Sequence, residues 1–254
     1  MLSAHALTLE VPGRVLCRGL EASFGPGEVW AVLGRNGTGK STLMHALGGL
    51  KTPAHGHVAL DGEPVAGIEA KSRAQRLGVL LQIEEGVYWG TVEEYVLLGR
   101  FPHVRGWRGY MREDRDIAGS ALDALGMTSF AMRRYASLSG GERQRVRIAQ
   151  LLAQGPAVLL MDEPLQHLDL AHQAHVLALV ADRAKEHGQT AVMVMHEPLW
   201  IGHGCTHALL FSGDGAVAAG RVEDMLTRER LEEAYGCALT EVAHATGRCF
   251  VPHV

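Results

Sequence analysis

Short apolar runs recur along this chain, separated by glycine, proline and acidic turn signals, and other stretches repeat their apolar residues every three or four positions. Residues 7–11 alternate and predict a strand; residues 15–24 predict a second, closed by the Pro26-Gly27 turn. The run EVWAVL at 28–33 reads as a buried strand leading straight into a glycine-rich loop, and residues 41–50 predict the helix that follows, stopped near Pro53. Shorter strands are expected at 57–60, before the Asp61-Gly62 turn pair, and at 78–81, ending at Gln82.

The texture then changes. From residue 83 to about 154 the pattern is helical, with the best helices at 91–99, 112–125 and 141–154 and no convincing strand. Strands are expected again at 157–161 and 190–195, around a helix from 170 to about 186, and then at 207–211 and 216–218. Beyond residue 222 the pattern mixes short helices with a strand pair at 239–242 and 248–251. Strands alternating with helices predict an α/β fold whose largely parallel sheet is covered on both faces. The helical stretch reads as an insertion, giving one domain over residues 1–254 with a core of 1–82 and 156–254 and a helical subdomain of about 83–155.

Composition narrows the function classes. With 254 residues, 47% of them hydrophobic, the chain can bury a sizeable core. A formal net charge of −4 argues against nucleic acid as a partner, because phosphate backbones call for a basic surface. Cys17, Cys205, Cys237 and Cys249 form no C-x-x-C pair, so free thiols in a cytosolic protein are expected. The start of the chain lacks the pattern of a secretory signal, and no apolar run reaches the ~18 residues of a membrane span. A soluble protein is expected, with any membrane role exercised through a partner. Fourteen histidines are present, yet none joins an Asp or Cys set with metal-ligand spacing, and no dedicated transition-metal site is expected.

Three segments carry chemistry. In GRNGTGKS at 34–41, Gly34, Gly37 and Gly39 let the backbone turn tightly and bring N–H groups against an anion, aided by the N-terminus of the next helix. Lys40 supplies a cation for β- and γ-phosphates, the Ser41 hydroxyl suits magnesium, and Asn36 and Thr42 complete the phosphate-binding set. In AVLLMDEP at 157–164, Asp162 ends a buried strand, where open sheets bind ligands, and can hold magnesium; Glu163 is placed to orient and deprotonate water. Gln82 and His196 also end apolar strands, Gln82 within reach of magnesium or water. Asp169 reads as the N-cap of the helix that follows, as a second site residue, or as both. The third segment is LSGGERQR at 138–145, a polar helix start that gains meaning only if a nucleotide site faces it.

Together, in this order, the three segments resemble the ATP-binding subunits of ABC transporters. The resemblance implies a P-loop NTPase core with a mostly parallel sheet, an antiparallel β subdomain and an inserted helical subdomain. It implies ATP and Mg2+ as cofactors and a head-to-tail homodimer. In that dimer Ser139, Gly140 and Gly141 contact the γ-phosphate held by the other copy's loop, Asp169 sits at the seam, His196 touches the γ-phosphate, and Gln82 links the site to a transmembrane permease. The segments LLGRFPH at 97–103, HLDLAHQ at 167–173 and the tail at 232–252 are similar to those of importers of iron-siderophores, haem and vitamin B12. That subgroup implies an importer at the cytoplasmic face of the plasma membrane, working with permease subunits and a periplasmic or extracellular substrate-binding protein. An exporter ATPase, a soluble non-transport ABC protein and a non-hydrolysing ATP-binding module are the alternatives. Three features depart from the family pattern, one of them the CTH at 205–207, which replaces a commoner stretch ending in Asp-Arg. The stretch LEVPGRVL lacks the usual adenine-stacking aromatic, which leaves Val11 or Val15 for base contact, and Glu197 stands where aspartate is more usual.

Between residues 83 and 135 lie Tyr88, Trp89, Tyr95, Phe101, Trp107, Tyr110, Phe130 and Tyr135, among Arg100, Arg105, Arg108, Arg112 and Arg115. Part of this block is expected to form the groove that receives the permease, and the rest to be the subdomain's own core.

Overall fold

A computed structural model describes residues 1–82, 88–104, 106, 109–195, 198–244 and 247–253. Its centre is a six-stranded sheet in the order β10 (Val217–Arg221), β9 (His207–Phe211), β3 (Val29–Leu33), β8 (Thr190–Val194), β7 (Val158–Asp162), β6 (Leu77–Leu80). All its pairings are parallel except β9 with β10. The continuous apolar runs are explained by burial on both faces. Along β3, Val29, Ala31 and Leu33 point into one core and Trp30 and Val32 into the other. The same division holds on β7, with Leu159 and Met161 opposite Val158 and Leu160. Each such fully buried aliphatic side chain contributes on the order of 1.5–3 kcal/mol.

One of these cores is roofed by an antiparallel sheet in the order β2 (Arg14–Phe24), β1 (Leu2–Val11), β4 (His55–Leu60), β5 (Glu63–Pro64), with α1 (Lys40–Leu47) packed beneath it. β1 starts five residues earlier than its alternation predicts. Its register shifts between Ala4 and Leu7, with Ala6 at φ 46°, so the period of two breaks and the first half of the strand is masked in the sequence.

The other core joins the helical block to the sheet. α3 (Val92–Leu97), α4 (Arg112–Ala124) and α5 (Gly140–Gln154) interlock through Val96, Leu122, Val146 and Ala149, and α6 (Leu170–His187) covers the sheet through Val176, Leu177 and Val180. The tail adds α7 (Val222–Met225), α8 (Arg228–Tyr235) and the hairpin of β11 (Leu239–His244) and β12 (Gly247–Pro252). α2 (Ala70–Arg76) was not predicted, for a physical reason: it buries no side chain. Polar bonds hold it instead, from Lys71 to the Val104 carbonyl at 2.7 Å and from Gln75 to the Pro102 carbonyl at 2.7 Å.

The aromatic block divides. Tyr95 and Tyr135 stack with centroids 4.1 Å apart, and Tyr88 meets both edge-on, an internal cluster. Tyr110 and Phe130 pack against the same core. Trp89 and Phe101 stay 74% and 70% exposed, while Trp107, Arg105 and Arg108 lie outside the described residues. The segment 97–103 is a staple within the helical block: Arg100 donates to Asp114 at 2.9 Å and to the Ala153 carbonyl at 3.0 Å, and a His103 ring nitrogen bonds the Gln154 carbonyl at 2.8 Å. Among the described residues no helix is long and apolar enough to cross a membrane.

Candidate active site

The loop between β3 and α1 delivers its glycines to the carboxyl end of the parallel sheet, where β7 delivers Asp162. Asn36, Gly37, Gly39, Lys40, Ser41 and Thr42 line one cleft together with Gln82, Glu163, Gln166, Val11, Arg14 and Leu16. Gly39 has φ 113°, and a Cβ there would stand 2.8 Å from the Leu16 Cβ, so only glycine lets the antiparallel sheet close on the loop. Gly34 lies at the floor, where its carbonyl accepts from the Lys40 ammonium at 2.7 Å; the Arg35 carbonyl accepts at 2.9 Å. Burial pushes the Lys40 pKa down, opposed by the negative charges of Glu163 and Asp162. A buried cation facing carboxylates is placed to meet further negative charge.

Asp162 is 2% exposed, and its Oδ1 is a buried oxygen with no hydrogen-bond partner. Burial raises its pKa, and a hydrogen bond from Ser41 counters part of that rise. An orphaned carboxylate oxygen beside a hydroxyl is a hard-oxygen donor set that fits magnesium. Glu163 follows with φ 53°, which turns its side chain into the cleft, and the Gln82 amide donates to its Oε2 at 2.9 Å. Behind it, Gln144 on α5 donates to the Glu163 carbonyl at 3.3 Å and the Pro164 carbonyl at 3.0 Å. Arg147 holds the Gln144 oxygen at 3.0 Å and donates to the Leu81 carbonyl. One helix thus braces both the Gln82 and the Glu163 segments.

Ser139, Gly140, Gly141 and Asp169 do not line this cleft. Ser139 caps α5: its Oγ accepts from the Glu142 N–H at 3.3 Å, and its own N–H donates to Glu142 Oε2 at 2.7 Å. That leaves the exposed hydroxyl hydrogen free to donate outward. A Cβ on Gly141 would stand 2.8 Å from the His167 carbonyl oxygen, so the glycine lets residue 167, itself at φ 66°, pack on the helix start. Asp169 caps α6, accepting from the His172 N–H at 2.9 Å, and its side chain is 67% exposed. The N-cap role is present and the carboxylate still faces outward. His196 and Glu197 lie outside the described residues.

Sequence reasoning missed Arg14, Leu16, Gln166, Gln144 and Arg147. Arg14 had a local signal in its place beside the Pro12-Gly13 turn, and Gln144 lies within the 138–145 segment, where it was given no role of its own. Of the two valines expected to meet the base, Val11 lines the cleft; Val15 packs toward residue 215 instead.

Comparison with known proteins agrees with this geometry. The ABC transporter family profile matches residues 17–166. The ferric enterobactin transport ATP-binding protein FepC of Escherichia coli K12 is 37% identical over 92% of this chain and 87% of its own length. The hemin import ATP-binding protein HmuV of Burkholderia ambifaria is 38% identical over 97% of both chains. Among solved structures, a metal-chelate type ABC transporter in an inward-facing conformation superposes with a TM-score of 0.86 at 29% identity, over 100% of this chain and 97% of the other. A dimeric bacterial ABC transporter cassette gives 0.79 at 26% identity, over 87% and 99%. The family profile covers more than half of the sequence and the relatives nearly all of it, so this chain belongs to the ABC transporter family, as an ATP-binding subunit that hydrolyses ATP.

Proposed function

We propose that this chain drives an importer of iron-siderophore or haem type, as a homodimer bound to permease subunits at the cytoplasmic face of the membrane and supplied by a substrate-binding protein. The names of the relatives support the substrate class. The motor reading rests above all on the Gln82 amide 2.9 Å from Glu163, beside Lys40 and Ser41. In this reading the loop N–H groups and Lys40 hold the triphosphate and offset charge as it develops. Asp162, Ser41 and Gln82 would hold magnesium, which when bound would neutralise phosphate charge. Glu163 orients water and takes its proton. Ser139, Gly140 and Gly141 face the partner copy's γ-phosphate, Asp169 lines the seam, and His196 completes the site. Residues 1–82 and 156–254 act as the motor and 83–155 as the arm that moves the permease.

Glu163→Gln tests the chemistry. ATP affinity should persist while turnover falls by about 10²–10⁴-fold, the usual share of a general base. The variant should accumulate as an ATP-bound dimer on sizing columns. Near-normal turnover removes Glu163 from this role. Coupling is tested at Trp89, which is exposed on the arm, unlike the packed Tyr88. Trp89→Ala in the reconstituted transporter should cut uptake while basal ATPase stays within about twofold, the range for a surface change away from the cleft. Uptake of haem measured against a ferric siderophore then separates the two substrate classes.

A further inference from the structure

The two ends of the cleft differ in chemistry. Gln82, Glu163 and Ser41 gather at one end; Val11, Arg14 and Leu16 form the wall supplied by the antiparallel sheet. A triphosphate lying on the glycine loop with its last phosphate toward Glu163 directs its base to that wall. No aromatic side chain lines the cleft among the described residues. Arg14 opens β2 at the tip of the first hairpin, paired with Val11 across the turn. Its Nη1 donates to the Gly37 carbonyl at 3.1 Å and its Nη2 to the Gly213 carbonyl at 2.9 Å. Although exposed, the guanidinium is pegged between the phosphate loop and the turn joining β9 to β10. Two in-plane bonds fix a planar group and leave its faces open, and such a plane stacks on aromatic rings.

We propose that Arg14 is the base platform of this nucleotide site. The purine ring lies on the guanidinium plane, Val11 and Leu16 complete an apolar wall, and adenine and guanine are accepted nearly alike. The proposal rests on reading the cleft as a triphosphate site. Stacking on a flat cation is indifferent to ring substituents, whereas strong discrimination needs hydrogen bonds to the base edge. The wall beside Arg14 is aliphatic and offers none.

The test is equilibrium binding to the full chain carrying Glu163→Gln, with ATP, GTP and inorganic tripolyphosphate as probes. ATP and GTP should bind within about threefold of each other, a comparison that needs no change at Arg14. Arg14→Ala should weaken both by about tenfold and leave tripolyphosphate unchanged, because only the nucleotides carry a base. Arg14→Lys, which can still donate to Gly37 but has no plane, should not restore binding; adding Val11→Tyr to Arg14→Ala should. Equal loss for tripolyphosphate makes Arg14 a prop for the loop and overturns the proposal. So does an unchanged ATP affinity, or a preference for ATP over GTP of about a hundredfold, the scale set by edge hydrogen bonds. Lys40→Ala separates the two levels of inference. If it abolishes binding of all three probes while Arg14→Ala changes none, the triphosphate site stands and the platform falls. If the chain binds none of the probes, both fall.

Discussion

Glu163 occupies the left-handed backbone region at φ 53°, a conformation that costs a glutamate of order 1–3 kcal/mol and persists only where neighbours enforce it. The enforcing neighbour is Gln144, 5% exposed, whose amide bonds the carbonyls of residues 163 and 164. Gln144→Leu keeps the volume and removes both hydrogen bonds, leaving the buried Pro164 carbonyl without its partner, while the Glu163 carbonyl keeps the Gln166 N–H at 3.2 Å. Stability should fall by about 1–3 kcal/mol by denaturant titration, and kcat should drop more than KM as the carboxylate loses its aim. A variant with unchanged kcat would show that the carboxylate is aimed from elsewhere. This contrast marks what was legible at this scale. Lys40, Ser41, Asp162 and Glu163 could be read from the sequence because phosphate, metal and water chemistry each demand a residue type at a fixed spacing. Gln144 could not. Its partners lie 19 and 20 residues away, and nothing in the local pattern separates a bracing glutamine from a solvated one.

Elements show the same divide. Strands β3, β7 and β8 were readable as continuous apolar runs because both of their faces are buried, and helices α4, α5 and α6 because burial on one face imposes a period; each observed element lies within a few residues of its predicted bounds. The short α2 buries nothing and so carries no period. The bulge in β1 erased a period that burial would otherwise have written. The segment 97–103, similar in sequence to that of a transporter subgroup, is in the fold a polar clasp joining α4 and α5. Its centre is the Arg100–Asp114 pair, 2.9 Å apart with both side chains 12% exposed. Asp114→Ala leaves Arg100 buried without its counter-ion and should cost about 2–4 kcal/mol. The pH dependence has a definite sign. The Met111 N–H, followed by Arg100, holds the Asp114 carboxyl below the usual carboxylate range. Its contribution is therefore complete above the unfolded value of about 3.9 and is lost as pH falls through the lower folded value. The stability gap between the parent chain and Asp114→Ala should be constant from neutral pH down to about 5 and close progressively below 4. A gap that widened on acidification would contradict the assignment.

At the scale of the whole molecule, the two proposed halves of the catalytic site lie apart on one chain. The cleft of Lys40 and Glu163 is lined by none of Ser139, Gly140, Gly141 or Asp169, and the Ser139 hydroxyl and the Asp169 carboxylate both face outward. Two copies related by a two-fold axis would satisfy each other's surfaces at once, because a self-complementary interface makes every contact twice. That geometry has a consequence a self-contained site lacks. Lys40→Ala damages the loop half of a site, and Ser139→Arg blocks the opposing half. In a head-to-tail dimer of one copy of each, both lesions fall on the same composite site. The other site then combines the intact loop of the Ser139→Arg chain with the intact helix start of the Lys40→Ala chain. Each variant alone should be nearly inactive. Mixed in equal amounts, half of the dimers pair unlike chains, so about a quarter of all sites are whole and ATPase should rise toward that fraction. Titrating one inactive variant into the other reads this directly as a rise and fall in rate with mixing ratio. A rate that stays at the sum of the two parents at every ratio would mean that each chain completes its own site.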